Sequence, residues 1–239
     1  MSVDESLGNV LDWKVAREPG RVAMIGETVR LVPLDPAAHA RELFTGSHGP
    51  EIGPELWLYM SVGPFDTQEA FTGWLETCAQ STDPLFFTVI DAQTGRPSGM
   101  VSYLRITPGQ GVIEIGNIWF SPTLQRTRQA TEAIYLLARH VFDDCGYRRL
   151  EWKCNALNEP SRRAADRFGF RYEGLFRQHM VIKGRNRDTT WFAMIDSDWP
   201  LIKAAFERWL APENFDGAGR QRQTLAGIRA AIEAAPERG

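Results

Sequence analysis

Between residues 85 and 145 the hydrophobic period changes once, and that change sets the limits on the fold. Runs 85–90, 98–105 and 111–120 are rich in β-branched and aromatic residues, and short polar stretches with Gly and Pro separate them. Runs of this kind joined by short turns predict an antiparallel meander. From Gln125 to Cys145 the pattern becomes helical, with Ala130, Ile134, Leu137, Ala138 and Val141 along one side and Gly146 as the stop. Strand character returns at 148–154, a short helix over 160–168 ends at Gly169, and strands are expected near 170–177 and 189–196. Two strand-rich stretches thus flank a central helix, strand and helix, which predicts an α/β (α+β) fold.

Upstream, residues 28–33 alternate in strand fashion and should open the core, whereas the segment to about Gly26 shows no clear period. Asp35 as N-cap and Pro36 at the first helical position start a helix over 35–44. A second helix is expected from Thr67 to Thr82, capped by Asp66 or Thr67, with Ala70, Phe71, Trp74, Leu75 and Cys78 on its apolar face. Helices near 199–210 and 219–235 read as additions to the core. Leu225, Ile228 and Ile232 share one side of the second, so it covers either a surface of this chain or a partner chain, and a homodimer is open. The expected organisation is an N-terminal extension (1–27), a core domain (28–196) and a C-terminal helical extension (197–239).

The length of 239 residues fits one α/β core with terminal additions, and 43% hydrophobic with 24% charged residues fits a globular protein. With 27 basic and 30 acidic residues the formal net charge is -3, which gives no field to draw the chain to nucleic acid. Cys78, Cys145 and Cys154 stand at no metal-ligand spacing and read as buried thiols in a reducing compartment, so no metal is expected. The acidic N-terminus lacks a secretory signal and no stretch has the length of a membrane span, so the expected location is the cytoplasm, with no membrane partner.

Residues 120–133 read as a strand end, a turn and a helix start. Unpaired N–H groups and the positive dipole end there suit a pyrophosphate, and Arg126 and Arg128 add charge. By residue type alone, a solvated helix start fits equally well.

Gln125, Arg128 and Ala130 fall on the pattern Q/R-x-x-G-x-G/A, followed by Thr131, Glu132 and Ala133; Asn158 and Ser161 match N-x-x-S, and Gly169-Phe170 follows. Together these motifs resemble those of the GNAT superfamily of N-acetyltransferases, RimJ/RimL-like branch, over approximately 28–196. The resemblance implies a mixed, mostly antiparallel sheet that splays to admit pantetheine, and acetyl-CoA or another short acyl-CoA as co-substrate. It implies cofactor contacts from Ile118, Trp119, Phe120, Gln125, Arg126, Thr127, Arg128, Gln129, Ala130, Thr131, Asn158 and Ser161. The acceptor would be the amine of a small molecule or peptide, attacked directly.

Two departures bear on this. Arg128 replaces the central glycine, so its side chain must point away or bind phosphate itself. Ala165 stands where many members have a tyrosine acid, which leaves Ser161 or a bound water to protonate the thiolate. Glu114, eleven residues before Gln125, is either the general base or an exposed residue on a polar strand face. His179 is the second candidate base. Trp57, Tyr59 and Phe65 mark a loop that borders the acceptor in this branch or belongs to the core. Arg177, Arg185 and Arg187 either solvate a hairpin or bind an acidic acceptor or a carboxylated acyl group. Acetyl transfer is the leading function; succinyl-CoA-dependent transfer and a catalytically silent acyl-CoA-binding protein are the alternatives.

Overall fold

The computed structural model describes residues 10–50 and 52–235; the first nine and last four residues of the two extensions lie outside them. The strands form one eight-stranded sheet. β1 (Met24–Ile25), β2 (Val29–Pro33), β3 (Leu85–Asp91), β4 (Pro97–Thr107) and β5 (Val112–Phe120) are neighbours in chain order and antiparallel; short turns join β1 to β2 and link β3, β4 and β5, whereas a long helical segment connects β2 to β3. β6 (Arg149–Asn155) joins β5 in parallel, and the hairpin of β7 (Arg171–Ile182) and β8 (Arg185–Ile195) completes the sheet with β7 at its edge. The hairpin is longer than the sequence predicts, because Lys183 and Gly184 both adopt positive φ (49° and 71°), the backbone of a tight two-residue turn that the strand alternation does not reveal.

The parallel pairing of β5 and β6 is short. It runs from Val112↔Arg149 to Ile115↔Trp152 and stops, while β5 stays with β4 to Phe120 and β6 stays with β8 to Asn155. At the point of parting, the β4–β5 register shifts between Met100 and Ser102, and Asn117 takes φ 49°. Asparagine tolerates this conformation better than most residues. Its Nδ2 donates to Ser102 Oγ (2.9 Å), and that hydroxyl donates to the Gly116 carbonyl (3.1 Å), so the bulge is held by side chains.

α1 (Pro36–His48) and α2 (Gln68–Gln80) cover one face of the β2–β5 half, around a cluster that includes Trp57, Phe71, Leu75, Met100 and Trp119. α3 (Arg128–Arg139), α4 (Glu159–Phe168), α5 (Trp199–Leu210) and α6 (Leu225–Glu233) cover the other face, where Ile113, Ile115, Leu150, Trp152, Phe192 and Met194 point into the main core. Opposite them, no helix among the described residues covers the β5–β6–β8 part of the first face, which is called the uncovered face below. The helix expected from Gln125 starts later, at Arg128, because Arg126 is left-handed (φ 63°) and Thr127 Oγ1 caps the Ala130 N–H. It runs into a π turn over His140–Asp144 before Gly146. In α6, Leu225 and Ile228 are buried within this chain, so that side is not left for a partner. Among the described residues no helix is long and apolar enough to cross a membrane.

Glu132 ties α3 to the start of the sheet. Its buried carboxylate accepts from the N–H groups of Glu27 (2.8 Å), Thr28 (2.7 Å) and Val29 (3.1 Å) and from the Thr28 hydroxyl. A Cβ at Gly26 would come within 2.6 Å of the carboxylate carbon, so a side chain there would displace this anchor. Glu132→Ala strands three backbone donors and should lower stability by about 3 kcal/mol, seen as a Tm fall of roughly 6–12 °C. A melting temperature equal to wild type would show that the carboxylate anchors nothing.

Candidate active site

The slot between the parted strands has a loop at one end and a charged face at the other. At the loop end, Gln125 Nε2 donates to the Phe120 carbonyl (2.8 Å), and Ser121 O accepts from the N–H groups of Leu124 and Gln125. The left-handed Arg126 then reverses the chain into the Thr127 cap. As a result, the N–H groups of Arg126, Thr127, Arg128 and Gln129 have no acceptor among the described residues. Consecutive free donors at a helix start form a cradle for an anion. This arrangement fits the pyrophosphate of a CoA ester.

Arg128 does not point into that cradle. Its guanidinium donates to the Glu27 carboxylate (3.0 Å) and to the Leu210 carbonyl, and it lies 5.1 Å from the centre of the Phe215 ring. The side chain therefore joins the loop to both extensions, and the family glycine is not needed for φ, since Arg128 is the first residue of a right-handed helix. Arg126 is exposed; Gln129 is half-buried; Ala130 and Thr131 are buried, and the Thr131 hydroxyl accepts from Arg167 (3.1 Å). Ile118 and Phe120 are half-buried and pack partly against the main core, and the Trp119 side chain belongs to the opposite cluster.

α4 stands beside β6. Asn158 Oδ1 caps it by accepting from the Ser161 N–H (3.1 Å), and Trp152 Nε1 donates to Ser161 Oγ (3.0 Å). Because the indole donates, the hydroxyl keeps its own proton free to give. Ala165 is buried in the core.

On the uncovered face, Glu114 is not the exposed residue that the alternation of β5 allows. Its side chain is 7% exposed, and Oε2 accepts from Lys153 (2.9 Å) and faces Arg105 Nε (3.2 Å), while Lys153, 4% exposed, also donates to Glu151. Burial pushes the Glu114 carboxyl up, and Lys153 and Arg105 offset this only in part. Glu151, against the same pull of burial, is held low by Lys153 and Arg149. Glu114 Oε1 lies on the strand face it shares with Gly116, 3.7 Å from where a Cβ on that glycine would stand.

His179 lies on this face too, with Nδ1 3.0 Å from the Thr189 hydroxyl. Burial lowers its pKa, as do the charges of Arg105, Arg187 and Lys153. Trp191 lies under the Lys153 ammonium, 3.8 Å from ring centre to Nζ, and its own buried indole N–H has no partner among the described residues. The loop over 52–65 walls the site: the Tyr59 hydroxyl donates to the Leu157 carbonyl (2.9 Å), and Lys183 at the hairpin tip donates to the Trp57 carbonyl (2.8 Å). Trp57 and Phe65 themselves are packed in the α1–α2 cluster.

The sequence profile of the Acetyltransferase (GNAT) domain matches residues 28–171. This chain belongs to the GNAT acetyltransferase family. A GCN5-related N-acetyltransferase from Brucella melitensis shares 48% identity and superposes with a TM-score of 0.89 over 92% of this chain and 99% of that one. A probable GNAT acetyltransferase from Chromobacterium violaceum ATCC 12472 shares 39% identity with a TM-score of 0.75, over 81% and 96% of the two chains. The uncharacterized N-acetyltransferase p20 of Bacillus licheniformis is 26% identical over 154 residues, which is 61% of this chain and 83% of that one. The chain is thus an N-acetyltransferase enzyme with the GNAT fold.

Sequence reasoning missed Lys153, Arg105 and Trp191. A signal existed for Lys153: in 149–154 the charged residues alternate with Leu150, Trp152 and Cys154, which places Glu151 and Lys153 on one face. Nothing in the sequence pairs that face with Glu114. The charge crowding gives a measurable consequence. The His179 imidazole should titrate below 6.5 by NMR, and Arg187→Gln should move it upward, because removing a neighbouring cation favours the charged ring. An unchanged titration in that variant would show that Arg187 does not face the histidine.

Proposed function

We propose that this enzyme transfers an acetyl group from acetyl-CoA to a primary amine of a small molecule or a peptide N-terminus, by direct attack within the slot between β5 and β6. The observation that carries this is the row of free N–H groups over Arg126–Gln129 at one end of the slot, with a buried carboxylate, Glu114, at the other. The fold supports acetyl-CoA as donor: the Microcin C7 self immunity acetyltransferase MccE, solved in complex with acetyl-CoA and AMP, has the same fold at 20% identity and a TM-score of 0.63. Asn158 and Ser161 support the RimJ/RimL-like branch, and so does the shared fold of a Vibrio cholerae chain assigned ribosomal-protein-serine acetylation, 20% identical with a TM-score of 0.61.

The nucleophile has to be an uncharged amine. Arg105, Lys153 and Arg187 disfavour an ammonium on this face, and Glu114 Oε1, with its basicity raised by burial, takes the proton through a water. The amine nitrogen then bonds to the thioester carbon, the oxyanion collapses, and the carbon–sulfur bond breaks. Ser161, its hydroxyl oriented by the Trp152 indole, supplies a proton to the leaving thiolate and regains one through solvent from the nitrogen, which sheds its second proton as the amide forms. Positioning of the two reactants provides much of the rate. Arg128 offers no support for a silent acyl-CoA-binding protein, since its side chain turns away from the cradle.

Two measurements test this reading. In isothermal titration acetyl-CoA should bind saturably, and Gln125→Ala, which frees the loop from the Phe120 carbonyl, should weaken it about threefold to tenfold. No heat with CoA, acetyl-CoA or succinyl-CoA would remove the cofactor site. Glu114→Gln should lower kcat/KM about 100-fold at neutral pH, with the deficit shrinking toward about pH 9 as more amine is already deprotonated. A deficit that stays constant across that range would assign Glu114 a structural role.

A further inference from the structure

The carboxylates on the uncovered face do not balance its cations. Arg105 and Lys153 share Glu114, Lys153 also takes Glu151, and Arg149 is satisfied by Glu151 and Glu173. Arg187 forms no ion pair among the described residues; its Nε donates only to the Thr189 hydroxyl (3.2 Å). It is half-buried on β8, on the same strand face as Thr189 and Trp191. A guanidinium taken partly out of water without a carboxylate is costly unless a ligand supplies one.

Around it stand the Thr189 hydroxyl, His179 and Trp191, with the charge of Glu114 acting on the guanidinium without an ion pair. The Trp191 indole N–H is buried and unpartnered, and His179 shares the Thr189 hydroxyl with Arg187. The pairing of β6 with β8 ends at Asn155↔Thr189, so Arg187 lies just beyond the wall of the slot, on the half of the hairpin that reaches the 52–65 loop through Lys183. Arg177 and Arg185 are exposed and are not part of this group.

We infer that the acceptor amine carries a carboxylate or phosphate group, which binds the Arg187 guanidinium while the amine is presented to Glu114. This rests on the transfer reading above and narrows its acceptor class. The planar fork of arginine suits either oxyanion, and binding at both ends would orient a small acceptor.

The test compares matched acceptors by thiol release from acetyl-CoA: amino acids against their carboxamides with the amine unchanged, and phosphoethanolamine against ethanolamine. Wild type should favour at least one class of oxyanion-bearing member by about tenfold or more in kcat/KM, mainly through KM. Arg187→Gln should abolish that preference, and Arg187→Lys should keep part of it, with acetyl-CoA affinity unchanged in both. A second readout does not need turnover. Malonate or inorganic phosphate added to the CoA-saturated enzyme should shift the His179 ring resonances saturably in wild type and not in Arg187→Gln. Equal turnover of charged and neutral members, or no saturable anion effect on His179, would overturn the inference. A gain seen only with succinyl-CoA and neutral amines would also overturn it, placing the oxyanion on the acyl chain. Acetyl-CoA binding without thiol release from any amine would instead count against the transfer reading, and the anion titration would still decide the role of Arg187.

Discussion

The parting of β5 from β6 after Ile115 and Trp152 is the constraint on which the rest of the site depends. Two adjacent strands in a sheet core normally satisfy each other's backbone groups along their whole length, and leaving such groups unpaired is costly. Here the bulge at Met100–Ser102, the left-handed Asn117 and the Asn117–Ser102–Gly116 hydrogen bonds turn β5 away while β6 follows β8. The separation leaves the two strands unpaired with each other beyond Ile115 and Trp152, next to the start of α3.

Around the uncovered end the energetics are those of a buried charge network. Glu114, Lys153 and Glu151 are shielded from water, and removal of one member would leave another without its partner. The network also sets proton affinities in opposite directions, raising that of Glu114 through burial and lowering that of His179 through burial and the surrounding cations. A site with a basic carboxylate and a neutral imidazole, both near cations, is suited to handling an amine in its uncharged form.

The extensions brace the cofactor side. Arg128 spans from Glu27 to Leu210 and Phe215, and Arg167 lies over the Trp209 ring (4.9 Å) while it donates to Thr131. Arg229 of α6 donates to the Arg167 carbonyl (3.3 Å). The N-terminal segment is fastened as well, with the Arg17 N–H on the Cys145 carbonyl (2.8 Å) and Trp13 packed on the core. The residue that departs from the glycine of the family motif thus holds the loop to segments far away in the chain.

By itself the sequence determined most of the elements and their order, though not β1, which lies in a segment without a period. Apolar periods of 2 and 3.6, the caps at Asp35 and Thr67 and the stops at Gly146 and Gly169 are local signals, written in residues close to one another along the chain. It also carried the resemblance to the family's cofactor motif, since the run from Gln125 to Thr131 is one continuous segment. Only the tertiary structure decided which charges meet. Glu114 finds Lys153 and Arg105 through strand pairing, Arg128 finds Leu210 and Phe215 through docking of α5, and Arg187 on β8 donates to the Thr189 hydroxyl and forms no ion pair among the described residues. Such outcomes depend on strand register, bulges and packing between segments distant in sequence, and a residue's own neighbours do not encode them.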